Sequence, residues 1–349
     1  MTSDAGFVLP HLPNEIWGKV FSYLPIEDHK SIRYSSHRFC RIFDSIDRKT
    51  IRQIVLYGNI NTNAVIRSFS CCHIGRKVWH MELNMVHLLD DSTLSFFENQ
   101  GTNIRCLILN NCKLKPGLLK RIIENCENLS KFALCATSSS GDPMSREELE
   151  AILDDFKALD GNRIIRRNVS DFTLKIDRQN WCTRDYHYFT NQSFLLFFSV
   201  FPNIRKLDLT FFVECFFFDT FTQDLSEITS GEDFTFSCIH YQLAKMRYQL
   251  EKLHLVFKQL PLVPCSSLFA WDQISDIEMS NLRDLSLSVT LKFEYLELYY
   301  ILHMPYLTHF TIIFHRSLFL SPKSPVVEYI LGTATHLRSL VIELSLIHI

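Results

Sequence analysis

The sequence lacks a charge imbalance. Its 36 Lys and Arg stand against 38 Asp and Glu, a formal net charge of −2 over 349 residues. No global field therefore draws the chain to nucleic acid or to an anionic membrane, and neither is expected as a partner. Long apolar runs are also missing. The uncharged stretch between Asp185 and Arg205 is broken by His187, Asn191, Gln192 and Pro202. Its apolar core falls short of the ~20 residues that a membrane-spanning helix needs. The opening residues, MTSDAGFVLPHLP, have neither the basic nor the apolar stretch of a secretory signal. A phosphate-cradling Gly-rich loop is absent as well: YGNINTN from Tyr57 and SGDP from Ser140 do not match one.

Paired cysteine and catalytic patterns are missing too. The eleven cysteines are odd in number and scattered. Cys71-Cys72-His73 invites a metal-site reading, yet no second Cys/His pair follows at zinc-finger spacing. Ordinary buried or half-buried thiols are expected, in a reducing compartment, cytosol or nucleus. There, the glycosylation-type triplets at Asn168 and Asn191 carry no meaning. The fourteen His fall singly along the chain, without the convergent acid, base and nucleophile of an active site. No catalysis, cofactor or metal is expected.

What is present is the composition of a folded protein, 47% hydrophobic and 21% charged, with 29 Phe to fill a large core. A seven-residue pattern, x-Φ-x-x-Φ-x-[Leu/Ile] with Φ apolar, can be laid down ten times. The windows are TIRQIVL from Thr50, KVWHMEL from Lys77, NIRCLIL from Asn103, NLSKFAL from Asn128 and NVSDFTL from Asn168. They continue with NIRKLDL from Asn203, QLEKLHL from Gln249, NLRDLSL from Asn281, YLTHFTI from Tyr306 and HLRSLVI from His336. At this apolar content a single match arises by chance at about one position in ten, so three further regularities carry the weight. The last position is Leu in eight windows and Ile in two, and the first is Asn in five. Most windows also follow an amphipathic helical stretch: GLLKRIIENCE, REELEAILDDFKAL, SFLLFFSVF and LELYYILHM.

A helix and then a short strand every 25 to 30 residues is the leucine-rich-repeat arrangement, and NIRCLILNNCKL and NCENLSKFALCAT resemble its cysteine-containing subclass. Stacking would bury the Φ residues of successive strands in one core, walled by the helices. The fifth and seventh places would face that core. The fourth and sixth would face the concave sheet surface: Gln53/Val55, His80/Glu82, Cys106/Ile108, Lys131/Ala133, Asp171/Thr173, Lys206/Asp208, Lys252/His254, Asp284/Ser286, His309/Thr311 and Ser339/Val341. That face is mixed, suited to a protein ligand. Its candidate substrate-binding residues are His80, Glu82, Lys206, Asp208, Lys252, His254, Asp284 and His309. Steps of 40, 35 and 46 residues between windows exceed one repeat, so either repeats are missed there or loops are inserted. The Phe-rich stretch 211–239 reads as extra core or as a loop over the binding face. The last residues, VIELSLIHI, stay apolar where a solenoid normally carries a polar cap; either they fold back as a cap or the sequence is incomplete.

The start of the chain has a different character. In LPNEIWGKVFSYL, residues 12–24, Ile16, Val20 and Leu24 lie on one helical face. Leu12-Pro13 sets the entry and Pro25 the end. Further helices are expected from Asp28 and from Ser35 or Ser36. Three helices in so few residues bury too little surface to stand alone. Some of Leu12, Pro13, Ile16 and Phe21 should form an exposed apolar patch.

Residues 12–43 resemble an F-box, through Leu12-Pro13, Glu15-Ile16, Val20-Phe21, Leu24, the acidic turn Glu27-Asp28 and the late aromatic Phe39. His29-Lys30, Ser35-Ser36 and Phe39 itself depart from the family's apolar, Val-Cys and Trp positions. The whole is similar to a leucine-rich-repeat F-box protein. The expected fold class is α/β, a small three-helix F-box at 9–47 followed by a curved leucine-rich-repeat solenoid at 48–349, parallel strands inside and helices outside. The resemblance implies a substrate-recognition adaptor of an SCF-type ubiquitin ligase. The F-box would bind the Skp-type linker, and through it the cullin scaffold, while the repeats hold a protein substrate. Leu12, Pro13, Ile16, Phe21 and Leu24 are the candidate linker-binding residues; Val20 and Ile32 are expected to pack within the unit. A repeat scaffold or inhibitor that binds a partner without any ligase stays open as the alternative.

Overall fold

The computed structural model describes residues 13–21, 53–58, 61–71, 78–137, 146–177, 182–183, 186–187, 189–212, 236–258, 277–289, 302–315, 332 and 335–345. The expected second and third F-box helices lie outside them, as do Leu12, Leu24 and Ile32. In chain order the elements begin with α1 (Asn14–Phe21), β1 (Gln53–Tyr57), α2 (Thr62–Cys71), β2 (His80–Asn84), α3 (Leu94–Gln100), β3 (Cys106–Asn110), α4 (Leu118–Asn125), β4 (Lys131–Thr137), α5 (Arg146–Gly161) and β5 (Asp171–Asp177). They continue with β6 (Cys182–Thr183), β7 (Tyr186–His187), α6 (Asn191–Val200), β8 (Lys206–Phe212), α7 (Phe236–Lys245), β9 (Lys252–Lys258), β10 (Ile277–Glu278), β11 (Asp284–Val289), β12 (Leu302–His303), β13 (His309–His315) and β14 (Ser339–Ser345).

Ten strands form one sheet in the order β1-β2-β3-β4-β5-β8-β9-β11-β13-β14. Every neighbouring pair is parallel. A parallel sheet laid down in chain order requires each connection to return to the same end, and the series is consistent with a repeat solenoid. One of these strands begins at the fourth place of each window of the repeating pattern. The fourth places pair without a slip: Gln53, His80, Cys106, Lys131, Asp171, Lys206, Lys252, Asp284, His309 and Ser339 form one row across the sheet. Period-two burial explains the registration, because a one-residue slip would turn the core residues outward. In β3, Leu107 and Leu109 are buried while Cys106, Ile108 and Asn110 are half-buried.

The long steps are insertions. β4, β5, β8 and β9 are immediate neighbours, so no strand of this sheet is missing between them. The first long step accommodates the 16-residue α5, and the second the antiparallel β6/β7 pair with α6. The third holds α7 and residues 213–235, which lie outside the described residues. At the ends of the Phe-rich stretch, Phe211, Cys238 and Ile239 join the core. The expected helix LELYYILHM is corrected at its described end alone, where Leu302–His303 are extended and pair parallel to Ile277–Glu278; its earlier residues lie outside the described ones. Pro305 follows directly and disfavours helix in the residue before it.

Aromatic rings fill the centre. The largest fully buried side chains are all Phe, among them Phe132, Phe156, Phe172, Phe197 and Phe201. Phe132 and Phe201 have ring centroids 5.3 Å apart, Phe156 and Phe197 4.6 Å, and Phe172 and Phe201 5.7 Å. These are offset and tilted contacts of the kind that add to area burial. β4, β5, α5 and α6 each contribute a ring, so the cluster ties adjacent repeats together.

Polar side chains do the same at the surface. Asn128 Nδ2 donates to Thr102 O at 2.7 Å, Asn168 to Glu127 O at 3.1 Å and Asn203 to Arg167 O at 3.1 Å. Gln249 Nε2 donates to Pro202 O at 3.0 Å, and Asn281 to Tyr248 O. Each acceptor is the residue just before the preceding window. The Asn preference thus has a physical cause: a short amide reaches back one repeat and satisfies a carbonyl that the ladder leaves over. Asp155 of α5 makes a buried link of the same kind. Its Oδ2 accepts from Leu119 N at 2.9 Å and Lys120 N at 3.3 Å. Gly117 before α4 has φ 82° and no side chain to cap with, so the next repeat supplies the cap.

Candidate interaction surfaces

The first surface is on α1. Pro13 O accepts from Ile16 N and Trp17 N, both at 3.1 Å, and so starts the helix. Pro13 is exposed, Ile16 is 46% exposed and Val20 43% exposed, while Trp17 is half-buried. Val20 therefore does not pack inward as expected. It lies one turn from Ile16 on the same side of the helix and extends the exposed apolar stripe. Phe21 ends the helix; its side chain, with Leu12 and Leu24, lies outside what the structure describes.

The second surface is the sheet face away from the helices. Lys206, Lys252 and His309 are exposed there; His80, Glu82, Asp208, His254 and Asp284 are half-buried. The register sets opposite charges beside each other. Lys131 Nζ is 3.3 Å from Asp171 and Lys252 Nζ 2.5 Å from Asp284 Oδ2 across neighbouring strands; within β2 the His80 ring Nε2 lies 3.6 Å from Glu82 Oε2. Asp208 sits between two partners, Lys175 Nζ at 2.9 Å and His254 Nδ1 at 3.1 Å. Burial opposes ionisation of Asp208, but the His254 ring and the Lys175 ammonium outweigh it and hold the carboxyl below its ordinary range. The charges are thus engaged with one another as well as facing solvent, and the structure does not gather the eight candidates into one pocket: they are spread from β2 to β13.

An eighth place in each repeat escaped the seven-residue pattern. Tyr57, Asn84, Asn110, Cys135, Lys175, Thr210, Val256, Ser288, Ile313 and Glu343 pair in one further row. By strand alternation the row shares the face of the fourth and sixth places. Lys175 belongs to it, as do Asn84 and Asn110, which link by a 2.7 Å hydrogen bond from Asn110 Nδ2 to Asn84 Oδ1. Asn84 Nδ2 in turn donates to Glu82 Oε1 at 3.1 Å. The signal was present in the sequence, since polar and small residues follow the final Leu or Ile in most windows.

Cys106 and Cys135 lie on the same face, and burial pushes both thiols up to about 11. Cys112 and Cys126 are pushed up to about 12 by burial, which leaves them neutral and unreactive at physiological pH. Among the described residues no group of three or more His, Cys, Asp or Glu is arranged to hold a metal ion. No helix among them is long and apolar enough to cross a membrane.

A comparison with protein-family models decides the character of the first surface. Residues 9–51 match the F-box domain. The F-box therefore contains α1 with its exposed Pro13, Ile16 and Val20, and its match ends just before β1 begins at Gln53. A comparison with curated proteins gives no match. The F-box match supports an SCF adaptor role through a Skp-type linker; nothing in the arrangement of the sheet face names what it binds.

Proposed function

We propose that this chain is a substrate-recognition adaptor of an SCF-type ubiquitin ligase, built from an F-box and leucine-rich repeats. The observation that carries the reading is the F-box at 9–51 followed directly by ten parallel strands in series. The F-box binds the Skp-type linker, and through it the cullin, with Leu12, Pro13, Ile16, Phe21 and Leu24 as contact residues and Val20 beside them. An apolar stripe on so small a helical unit needs a partner to cover it.

The repeats hold a protein substrate on the open sheet face, across His80, Glu82, Lys206, Asp208, Lys252, His254, Asp284 and His309. The chain performs no chemistry. It holds two partners near each other and raises their effective concentration, in the cytoplasm or nucleus. Affinity capture of the tagged full chain from cells that contain the ligase tests the reading. Recovery of linker and cullin supports it; recovery of neither favours a repeat scaffold that works without a ligase.

A further inference from the structure

We propose that the edge where the strands of the sheet's second half begin is a docking site for an extended, carboxylate-rich segment of a protein partner. The proposal does not rest on the F-box; the site adjoins the open sheet face and shares Lys206 and Lys252 with it. The third places of the last five windows, Arg205, Glu251, Arg283, Thr308 and Arg338, are joined in series by backbone hydrogen bonds. Glu251 N donates to Arg205 O at 2.8 Å, Arg283 N to Glu251 O at 2.8 Å, Thr308 N to Arg283 O at 2.9 Å and Arg338 N to Thr308 O at 2.8 Å. They form a row with one residue per strand, roughly 4.8 Å apart.

Around this row the charge is one-sided. Residues 202–206, 247–252, 280–284, 305–309 and 335–339 hold six Lys and Arg against two carboxylates, in a chain whose net charge is −2. The opposite ends of the same strands, residues 210–212, 256–258, 288–289, 313–315 and 343–345, hold one Lys and one Glu. Arg205, Lys206, Lys252, Arg283 and Arg338 are all exposed. A local excess of this size attracts an anionic segment even though the whole chain is close to neutral.

Exposed aromatics are set among the cations. Tyr248 is 62% exposed and Tyr306 43% exposed. The Arg283 guanidinium lies 5.0 Å from the Tyr306 ring centre, and the Arg247 guanidinium 4.6 Å from that of Tyr248. Tyr306 also stacks on His336 at 5.5 Å. A guanidinium held at a ring is partly ordered before a ligand arrives, so less freedom is lost on binding.

Glu251 in the row and Asp284 beside it select between anionic partners. Glu251 is 3.2 Å from Arg205 and Asp284 is 2.5 Å from Lys252. A nucleic-acid backbone, charged at every residue, would meet both. An extended peptide can vary its side chains along its length, so carboxylates can be set opposite Lys206, Arg283 and Arg338 and neutral residues opposite Glu251 and Asp284.

The test uses the purified full chain and a fluorescein-labelled Glu/Asp peptide of about eight residues, followed by anisotropy at about 50 mM and about 500 mM salt. Saturable binding at low salt, weakened at high salt, is expected. Arg205→Gln with Arg283→Gln and Arg338→Gln should weaken it by about tenfold or more, and Arg338→Gln alone by about threefold. Lys120→Gln with Lys157→Gln, on the helix side, should leave it within about twofold. The proposal is overturned by no saturable binding at low salt, by peptide affinity that both Arg variants leave unchanged, or by tighter binding of a single-stranded oligonucleotide than of the peptide.

Discussion

Replacement of Asp155 by Ala tests whether one repeat caps the next. The carboxylate is 5% exposed and accepts from two backbone N–H groups at the start of α4. Loss of a helix cap costs about 1 kcal/mol and up to ~2. A buried donor left unsatisfied adds about 1–3 kcal/mol. Leu119 is buried and Lys120 half-buried, so one such penalty applies in full, and the expected loss is ~2–4 kcal/mol. Asp155→Asn keeps an acceptor oxygen and should cost about 1 kcal/mol or less. The pH dependence has a definite sign. Burial raises the Asp155 carboxyl above its ordinary 3.8, against the pull of the backbone N–H groups. A raised carboxyl contributes stability below its unfolded value, and the contribution is lost as pH rises through the folded value. The deficit of Asp155→Asn relative to the native chain should therefore shrink as pH rises from about 4 toward neutral. Urea unfolding followed by circular dichroism measures both effects. An Asp155→Ala loss under about 0.5 kcal/mol, or an Asn deficit that widens with pH, would refute the reasoning.

Two other changes probe the sheet. Asp208 has the opposite sign: its lowered carboxyl contributes stability above the ordinary 3.8 that is lost as pH falls through the folded value. Asp208→Asn should therefore unfold with a flatter acid limb in a pH series of urea midpoints, and an unchanged limb would contradict the Lys175–Asp208–His254 account. Phe172→Ala opens the centre of the aromatic cluster and should cost about 3–5 kcal/mol, read as a fall in the urea midpoint at unchanged slope.

Much of this arrangement was legible because it is written in side-chain alternation. Leu107 and Leu109, or Phe172 and Leu174, must face the core together, so ten short windows sufficed to register ten strands. What stayed hidden depended on length and on neighbours in space. A window that stops at the seventh place cannot contain Lys175 or Asn110, although strands such as β4, β5 and β8 run on for seven residues. The role of Asn128, Asn168 and Asn203 was invisible because their acceptors lie in the preceding repeat. Asp155 looks like any helix carboxylate until α4 is placed beside it. Leu302 and His303 kept a helical pattern of apolar residues, but the approaching Pro305 and the partner Ile277–Glu278 prevailed. On α1, Ile16 and Val20 were known to share a face; which side of the unit that face occupies depends on contacts beyond the helix itself.

The central claim is that the front of the chain offers its apolar stripe to a Skp-type linker. Calorimetric titration of purified linker into the full chain measures this directly, with Ile16→Asp plus Phe21→Asp as the variant. The account predicts saturable one-to-one binding by the native chain and none by the variant, whose circular dichroism and thermal melt stay native-like. Absence of binding by the native chain, or a variant that loses its fold along with the linker, would contradict it.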